Sequence, residues 1–214
     1  MLILALDTAL ETCSAAVLDS ERVLAARSEE MARGHQERLA PLVAEVMAEA
    51  GVSFDRLDRI GVTVGPGSFT GLRVGLAFAK GLGVALDIPV VGVGTLAAMG
   101  AGTTGFAAAA VDARRGQIYL QAFRDGQPLG APEALALEDA ANWLIDIDST
   151  GPGLIVGSGA ALLAPAFPKA AADPRAGADP VQVARIAAAA EEAPPRPIYL
   201  RAPDAKLPAS ALSA

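Results

Sequence analysis

The chain opens on period-two hydrophobic patterning and changes to a helical period near residue 35. "LILALDT" (Leu2–Thr8), "CSAAVLDS" (Cys13–Ser20) and "RVLAARSEE" (Arg22–Glu30) are strand-like runs joined by polar turns, a predicted three-strand meander. "HQERLAPLVAEVMAEAG" then places Leu39, Val43, Val46 and Ala50 at helical spacing, with Gly51 as its stop and Pro41 in or near its first turn. "DRIGVTV" reads as a strand, "GPGSFTGLRVGLAFAKGLGVAL" as a glycine turn leading into a helix, "IPVVGVG" as a strand and "TLAAMGAG" as a short helix.

After "GAGTTG" the pattern restarts. "FAAAAVDA", "GQIYLQAFRDG" and "QPLGAPEAL" read as three strands, "LEDAANWLIDI" as a helix, "GLIVGSG" as a strand and "AALLAPAF" as a short helix. "DPVQVARIAAAAEEA" is a further helix, capped by Asp179 with Pro180 at its first position. The alanine-rich stretch 160–193 reads as helix-forming composition. Three strands, helix, strand, helix thus occurs twice. That order predicts an α/β protein of two ribonuclease-H-like lobes, with mixed sheets flanked by helices, as in the actin, Hsp70 and sugar kinase superfamily. The expected divisions are residues 1–102, residues 103–195 as a smaller second lobe, and an extended tail 196–214 with a disordered end.

Composition narrows the function classes. With 52% hydrophobic residues in 214, the chain can bury a substantial core, and one Cys excludes an internal disulfide or a thiolate metal cage. The N-terminal run meets Asp7 too early for a secretory leader. The apolar run after the glycine turn carries Arg73, Lys80 and several glycines, against the reading of a membrane span. A cytoplasmic protein is expected. A net charge of −7 without a visible basic stripe predicts weak, salt-sensitive RNA binding at most by the isolated chain.

The candidate chemistry is thin. The turn at Gly65–Gly71 lacks the lysine of a phosphate-binding G-x-x-x-x-G-K-[ST] loop, and Thr70 stands where a dinucleotide fingerprint needs its third glycine. A tight turn that lets the helix pack close to the sheet is the simpler reading, with Ser68 and Thr70 as candidate caps. "GVGTLA" (Gly92–Ala97) matches a relaxed fingerprint but opens only a short helix. Asp7 ends the first strand, where two-lobe kinases and ATPases place a metal or phosphate carboxylate. Asp112 holds the equivalent point in the second lobe, and Gly157, Ser158 and Gly159 resemble an adenosine-contacting turn. These five are candidates for a vestigial nucleotide site. His35 has no His or Cys neighbour to share a metal, and no nucleophile–base motif is present.

"LALDTALETCSAAVLD", "GHQERLAPLV", "TVGPGSFTGLRVGLAFAKGLG", "VDARRGQIYLQAF" and "PIYLR" together resemble the bacterial TsaB (YeaZ) family of tRNA threonylcarbamoyladenosine modification subunits, up to about Arg201. The resemblance implies a two-lobe, non-catalytic paralogue of TsaD, the subunit that transfers a threonylcarbamoyl group to the adenosine beside the tRNA anticodon. It implies that an ATPase, TsaE, joins the assembly, that tRNA is reached only through the complex, and that the chain alone can form homodimers. TsaD holds a metal with an H-x-x-x-H pair; Thr95 and Met99 stand at the matching positions here and are poor replacements. No cofactor is expected for the chain itself, with ATP or ADP and magnesium belonging to the assembled complex. The family packs its two N-terminal-lobe helices against those of TsaD. On that footing Leu39, Leu42 and Val46 of the first helix, and Arg73, Leu76, Ala77 and Lys80 of the second, are expected at the interface. Arg38, Glu45 and Glu49 are read as marking one polar face of the first helix, with Leu42 on it. The alternatives are a nucleotide-binding kinase or ATPase using Asp7, or an inactive peptidase-like homologue.

Overall fold

The computed structural model describes residues 1–192 and 194–201; Ala193 and residues 202–214, the expected disordered end, lie outside the described residues. Three antiparallel strands, β1 (Leu2–Asp7), β2 (Thr12–Asp19) and β3 (Arg22–Glu30), form the predicted meander. Helix α1 (His35–Ala50) follows, then β4 (Arg59–Gly65), α2 (Phe69–Leu86), β5 (Val90–Gly94) and α3 (Thr95–Gly100). Strands β4 and β5 run parallel to β1, giving the order β3-β2-β1-β4-β5. The second half repeats this with β6 (Phe106–Arg114), β7 (Gln117–Arg124), β8 (Gln127–Pro128), β9 (Glu133–Ala136), α4 (Leu137–Ile147), β10 (Leu154–Val156), α5 (Ala160–Leu163), β11 (Ala171–Asp173) and α6 (Pro180–Ala189). Its sheet order, β11-β10-β6-β7-β8 with β9 also on β7, has the same parallel and antiparallel pattern. The fold is the expected pair of ribonuclease-H-like lobes.

Several local expectations change. The third strand of the second lobe is split into β8 and β9, and Gln121 donates to the Gly130 carbonyl between them. The alanine-rich stretch is not continuous helix: Pro165, Pro168 and Pro174 interrupt it, and β11 forms in its middle. Pro41 lies inside α1, beyond the first turn, because the helix already starts at His35.

The packing is layered. Helices α1 and α2 cover the outer face of the first sheet through Leu39, Val43, Val46, Leu76 and Ala79 against Leu4, Leu6, Val17 and Val62. Helices α4 and α5 cover the outer face of the second through Ala140, Leu144 and Leu163. Between the sheets lies one shared core, in which Ile3, Ala5, Leu96, Met99, Phe123, Val156, Val183 and Ala187 are all buried. Helix α6, placed by sequence with residues 103–195, lies against the first sheet, where a Cβ on Gly61 would stand 2.7 Å from Ala187 Cβ. Arg59 fixes its end, donating to the carbonyls of Ala187 and Ala190 at 2.7 and 2.9 Å. Helix α3, placed with residues 1–102, conversely packs on the second sheet, with Gly100 against the Phe123 ring. The lobes exchange helices across the sequence boundary, so the inner faces form a common core.

Helix α2 has 18 residues and a mean hydropathy of 1.3, long and apolar enough by those measures to cross a membrane, contrary to the expectation from its charges. Its place here is in the fold, with Leu72, Gly75, Leu76, Ala79 and Gly83 buried against the sheet.

Candidate functional site

Strand β1 delivers Asp7 to the sheet apex, where the side chain is fully buried. One carboxylate oxygen accepts from Thr63 Oγ1 at 2.6 Å and from the Ala9 amide at 2.9 Å. The other accepts from the Ala178 amide at 3.1 Å and from Thr12 Oγ1 at 3.2 Å. Burial pushes the carboxyl up from its ordinary value, opposed by these hydrogen bonds, Thr63 first. The loop before α6 closes over this apex. The Glu11 amide donates to the Ala176 carbonyl at 3.1 Å, and Gly177 sits so close to Thr12 that no side chain fits there. Asp7 is a clasp joining β1, β2, β4 and a loop far along the chain. With both oxygens engaged and no surface exposed, it offers no open position to a magnesium ion or a nucleotide phosphate as it stands.

The other four nucleotide candidates divide. Gly157 and Gly159 are packed against the backbone of Ala110, and a Cβ on Gly157 would also stand 2.6 Å from Met99 Cε. They are packing glycines. Asp112 and Ser158 do come together: the Asp112 amide donates to Ser158 Oγ at 3.1 Å, and Asp112 accepts from the Arg114 amide at 2.7 Å. Both line an open cleft of about 860 Å³ between the lobes, with Glu11, His35, Ser68, Thr70 and Arg114. Glu11 and Arg114 pair across that cleft at 3.2 Å. His35 starts α1 as predicted, its Nε2 3.1 Å from the Leu10 carbonyl. Thr95 and Met99 lie on adjacent turns of α3, both fully buried. Met99 fills the space beside Gly157 with its thioether.

The glycine turn acts as a close-packing device. Ser68 caps α2, accepting from the Gly71 amide at 3.3 Å, while Thr70 lies within the helix and does not cap. Cβ atoms on Gly67 and Gly71 would collide with the carbonyl oxygens of Ala9 and Thr8. Thr8 Oγ1 donates to the Gly71 carbonyl at 2.8 Å, so the start of α2 rests on the turn that follows Asp7.

The expected interface residues separate by burial. Leu39, Leu42, Val46 and Leu76 are buried in the chain's own core and offer no surface to a partner. Arg73, Ala77 and Lys80 are exposed. The error lies in the helical face. Arg38, Glu45 and Glu49 turn toward β3: Arg38 pairs with Glu29 at 2.6 Å and Glu45 at 2.7 Å, and Arg27 with Glu49 at 2.9 Å. Arg38 holds Glu29 and Glu45 below the usual carboxylate range. The side of α1 left to solvent is built of Ala40, Pro41, Ala44 and Ala48, with Gln36 and Glu37 at its N-terminal end. Beside it, α2 exposes Ala77, Gly81, Val84 and Ala85 with Lys80 among them, and Phe69, Thr70 and Arg73 at its N-terminal end. Val84 is 85% exposed. These small residues follow from the sequence once the polar side of α1 is assigned to β3.

Comparison with known proteins gives a consistent picture. The family model described as TsaD, tRNA N6-adenosine threonylcarbamoyltransferase, matches residues 24–141. An uncharacterized protein of Mycobacterium tuberculosis is 39% identical over 206 residues, covering 95% of this chain and 93% of that protein. The tRNA threonylcarbamoyladenosine biosynthesis protein TsaB of Escherichia coli is 38% identical over 124 residues, covering 56% of this chain and 53% of that protein. The structure of YeaZ from Pseudomonas aeruginosa superposes with a TM-score of 0.77 at 30% identity, covering 93% of this chain and 99% of that one.

Proposed function

The chain belongs to the TsaB (YeaZ) family, and on that premise we propose that it serves tRNA threonylcarbamoyladenosine biosynthesis as a non-catalytic subunit binding a TsaD-like catalytic partner. The observation that carries this reading is the uncovered face of α1 and α2. Two long helices present Ala40, Ala44 and Ala48 on one and Ala77, Gly81 and the 85%-exposed Val84 on the other, a largely apolar surface, with Lys80 within it, of the kind that marks a protein contact. Small side chains there permit close helix approach, so the partner supplies a helix pair of its own. The isolated chain pairs with a second copy through the same face. A TsaE-like ATPase joins in the cytoplasm, and nucleotide with magnesium belongs to that assembly.

The closed apex supports a non-catalytic role. Asp7 spends its hydrogen-bonding capacity on Thr12, Thr63, Ala9 and Ala178, and Met99 packs where the family's catalytic paralogue would need a ligand. The kinase or ATPase alternative requires Asp7 to reach a ligand, which its burial and its four hydrogen bonds oppose.

Co-expression with a TsaD-like subunit tests the proposal. The parent chain is expected to co-purify with it and to restore modification in a strain lacking its own copy, while Val84→Glu does neither. A Val84→Glu chain that assembles and restores modification as the parent does removes the proposed face.

A further inference from the structure

The net charge of −7 is unevenly distributed. Residues 66–86, the turn and helix α2, carry Arg73 and Lys80 and no carboxylate; residues 194–201 carry Arg196 and Arg201 and no carboxylate. These two segments meet at the start of α2. The Ile198 amide donates to the Val64 carbonyl at 2.7 Å, and the Ile198 carbonyl lies over Gly65, 2.7 Å from where a Cβ would be. That anchoring sets Tyr199 beside Phe69, with ring centroids 5.5 Å apart and planes tilted by 40°. The Arg73 guanidinium stands over the Phe69 ring, 3.7 Å from its centroid. Both rings stay half open, Phe69 at 50% and Tyr199 at 46% exposure. Arg201 Nη1 donates to the Ala113 carbonyl at 3.2 Å, bringing another cation toward the second lobe.

Half-open aromatic rings, held by backbone bonds and a helix, stand here on two segments that carry cations and no carboxylate of their own. Aromatic faces take up exposed bases by stacking, guanidinium planes add to the stack, and neighbouring cations hold the phosphates. A base-paired duplex hides the faces of its bases, so the complementary ligand is single-stranded. We propose that Phe69, Tyr199 and Arg73 form a stacking platform for an unpaired base of single-stranded RNA, with Arg73 beside a flanking phosphate. The platform rests on the reading that the chain works in tRNA modification, and it names an RNA contact that this subunit supplies. A base rather than a protein side chain is favoured because cations flank the rings with no carboxylate on either segment. The platform also lies about 20 Å along α2 from Val84, at the opposite end of the helix from that apolar contact.

The test is fluorescence anisotropy of the full chain with a labelled, unstructured RNA of about 12 nucleotides, alone and as a duplex, at about 50 mM salt. The parent is expected to bind the single strand at least about ten-fold tighter than the duplex, and Tyr199→Ala or Phe69→Ala to weaken it about ten-fold with no change in salt dependence. Tyr199→Phe retains binding, and Arg73→Gln lowers the salt slope by about one. Equal affinity for duplex and single strand, absence of binding, or a Tyr199→Ala chain that binds like the parent overturns the platform. Tyr199 lies on an extended segment outside the core, so its variants decide the matter if Phe69→Ala fails to fold. Co-purification with the TsaD-like subunit separates the two claims. A parent chain that assembles yet does not bind RNA sinks the platform and leaves the proposed function standing. A Tyr199→Ala chain that loses the partner but keeps RNA makes the patch a protein contact, which also overturns the platform.

Discussion

The apex at Asp7 and the outer face of α1 and α2 treat their chemistry in opposite ways. At the apex a carboxylate, usable in principle for catalysis, is shut away and satisfied by amides and hydroxyls from four parts of the chain. On the helices, apolar side chains that would ordinarily be covered are left in solvent, Val84 above all. Burying a charged group costs free energy unless it is fully hydrogen-bonded, and exposing apolar surface costs free energy unless something covers it. The first cost is offset within the chain. The second is not, and that asymmetry is the ground for proposing a partner on the helical face.

The comparison breaks most visibly at Asp7. Asp7→Ala leaves the amides of Ala9 and Ala178 and the hydroxyls of Thr12 and Thr63 without their acceptor, with an expected loss of about 4 kcal/mol in urea denaturation. Next comes Gly71→Ala, where the new methyl meets the Thr8 carbonyl oxygen and α2 must lift, costing about 3 kcal/mol by the same measurement. Ser68→Ala removes only the cap of α2 and is expected to cost about 1 kcal/mol. Val84→Glu is expected to shift stability by no more than about 0.5 kcal/mol, because the side chain touches solvent, and, if the proposed face is the contact, to abolish co-purification with a TsaD-like subunit.

Acid separates the regions by sign. The Asp7 carboxyl is raised in the folded state, so its contribution is fully present below the ordinary value of 3.8 and declines as pH rises through the raised value. Glu29 and Glu45 are lowered by Arg38, so theirs is present above the ordinary 4.5 and is lost as pH falls through the lowered values. Urea titrations across that range should show Arg38→Gln flattening the acid-side loss of stability. They should also show the advantage of the parent over Asp7→Asn growing as pH falls.

Much of this was legible in the sequence because local patterning fixes local elements. The β1–β3 meander, both long N-terminal helices, Asp179 as the cap of α6 and His35 at the start of α1 follow from period and punctuation. What failed depends on distant partners. Nothing near Asp7 announces that the Ala178 amide, 171 residues away, occupies its carboxylate. Leu42 looked exposed because Arg38, Glu45 and Glu49 share its side of α1, and polar residues ordinarily mark solvent. Those charges are instead consumed by Arg27 and Glu29 on β3, so the alanine side is the free one. The exchange of α3 and α6 between lobes is equally invisible to periodicity, since a buried helix reads the same whichever sheet it covers.

The central claim is that the outer helical face, and not the apex, is the working surface. Size-exclusion chromatography of equimolar mixtures with a TsaD-like subunit tests it most directly, comparing the parent, Val84→Glu and a folded Asp7→Asn. The account predicts a heteromeric peak for the parent and for Asp7→Asn, and separate peaks for Val84→Glu. A heteromeric peak for Val84→Glu at the parent's position would contradict it.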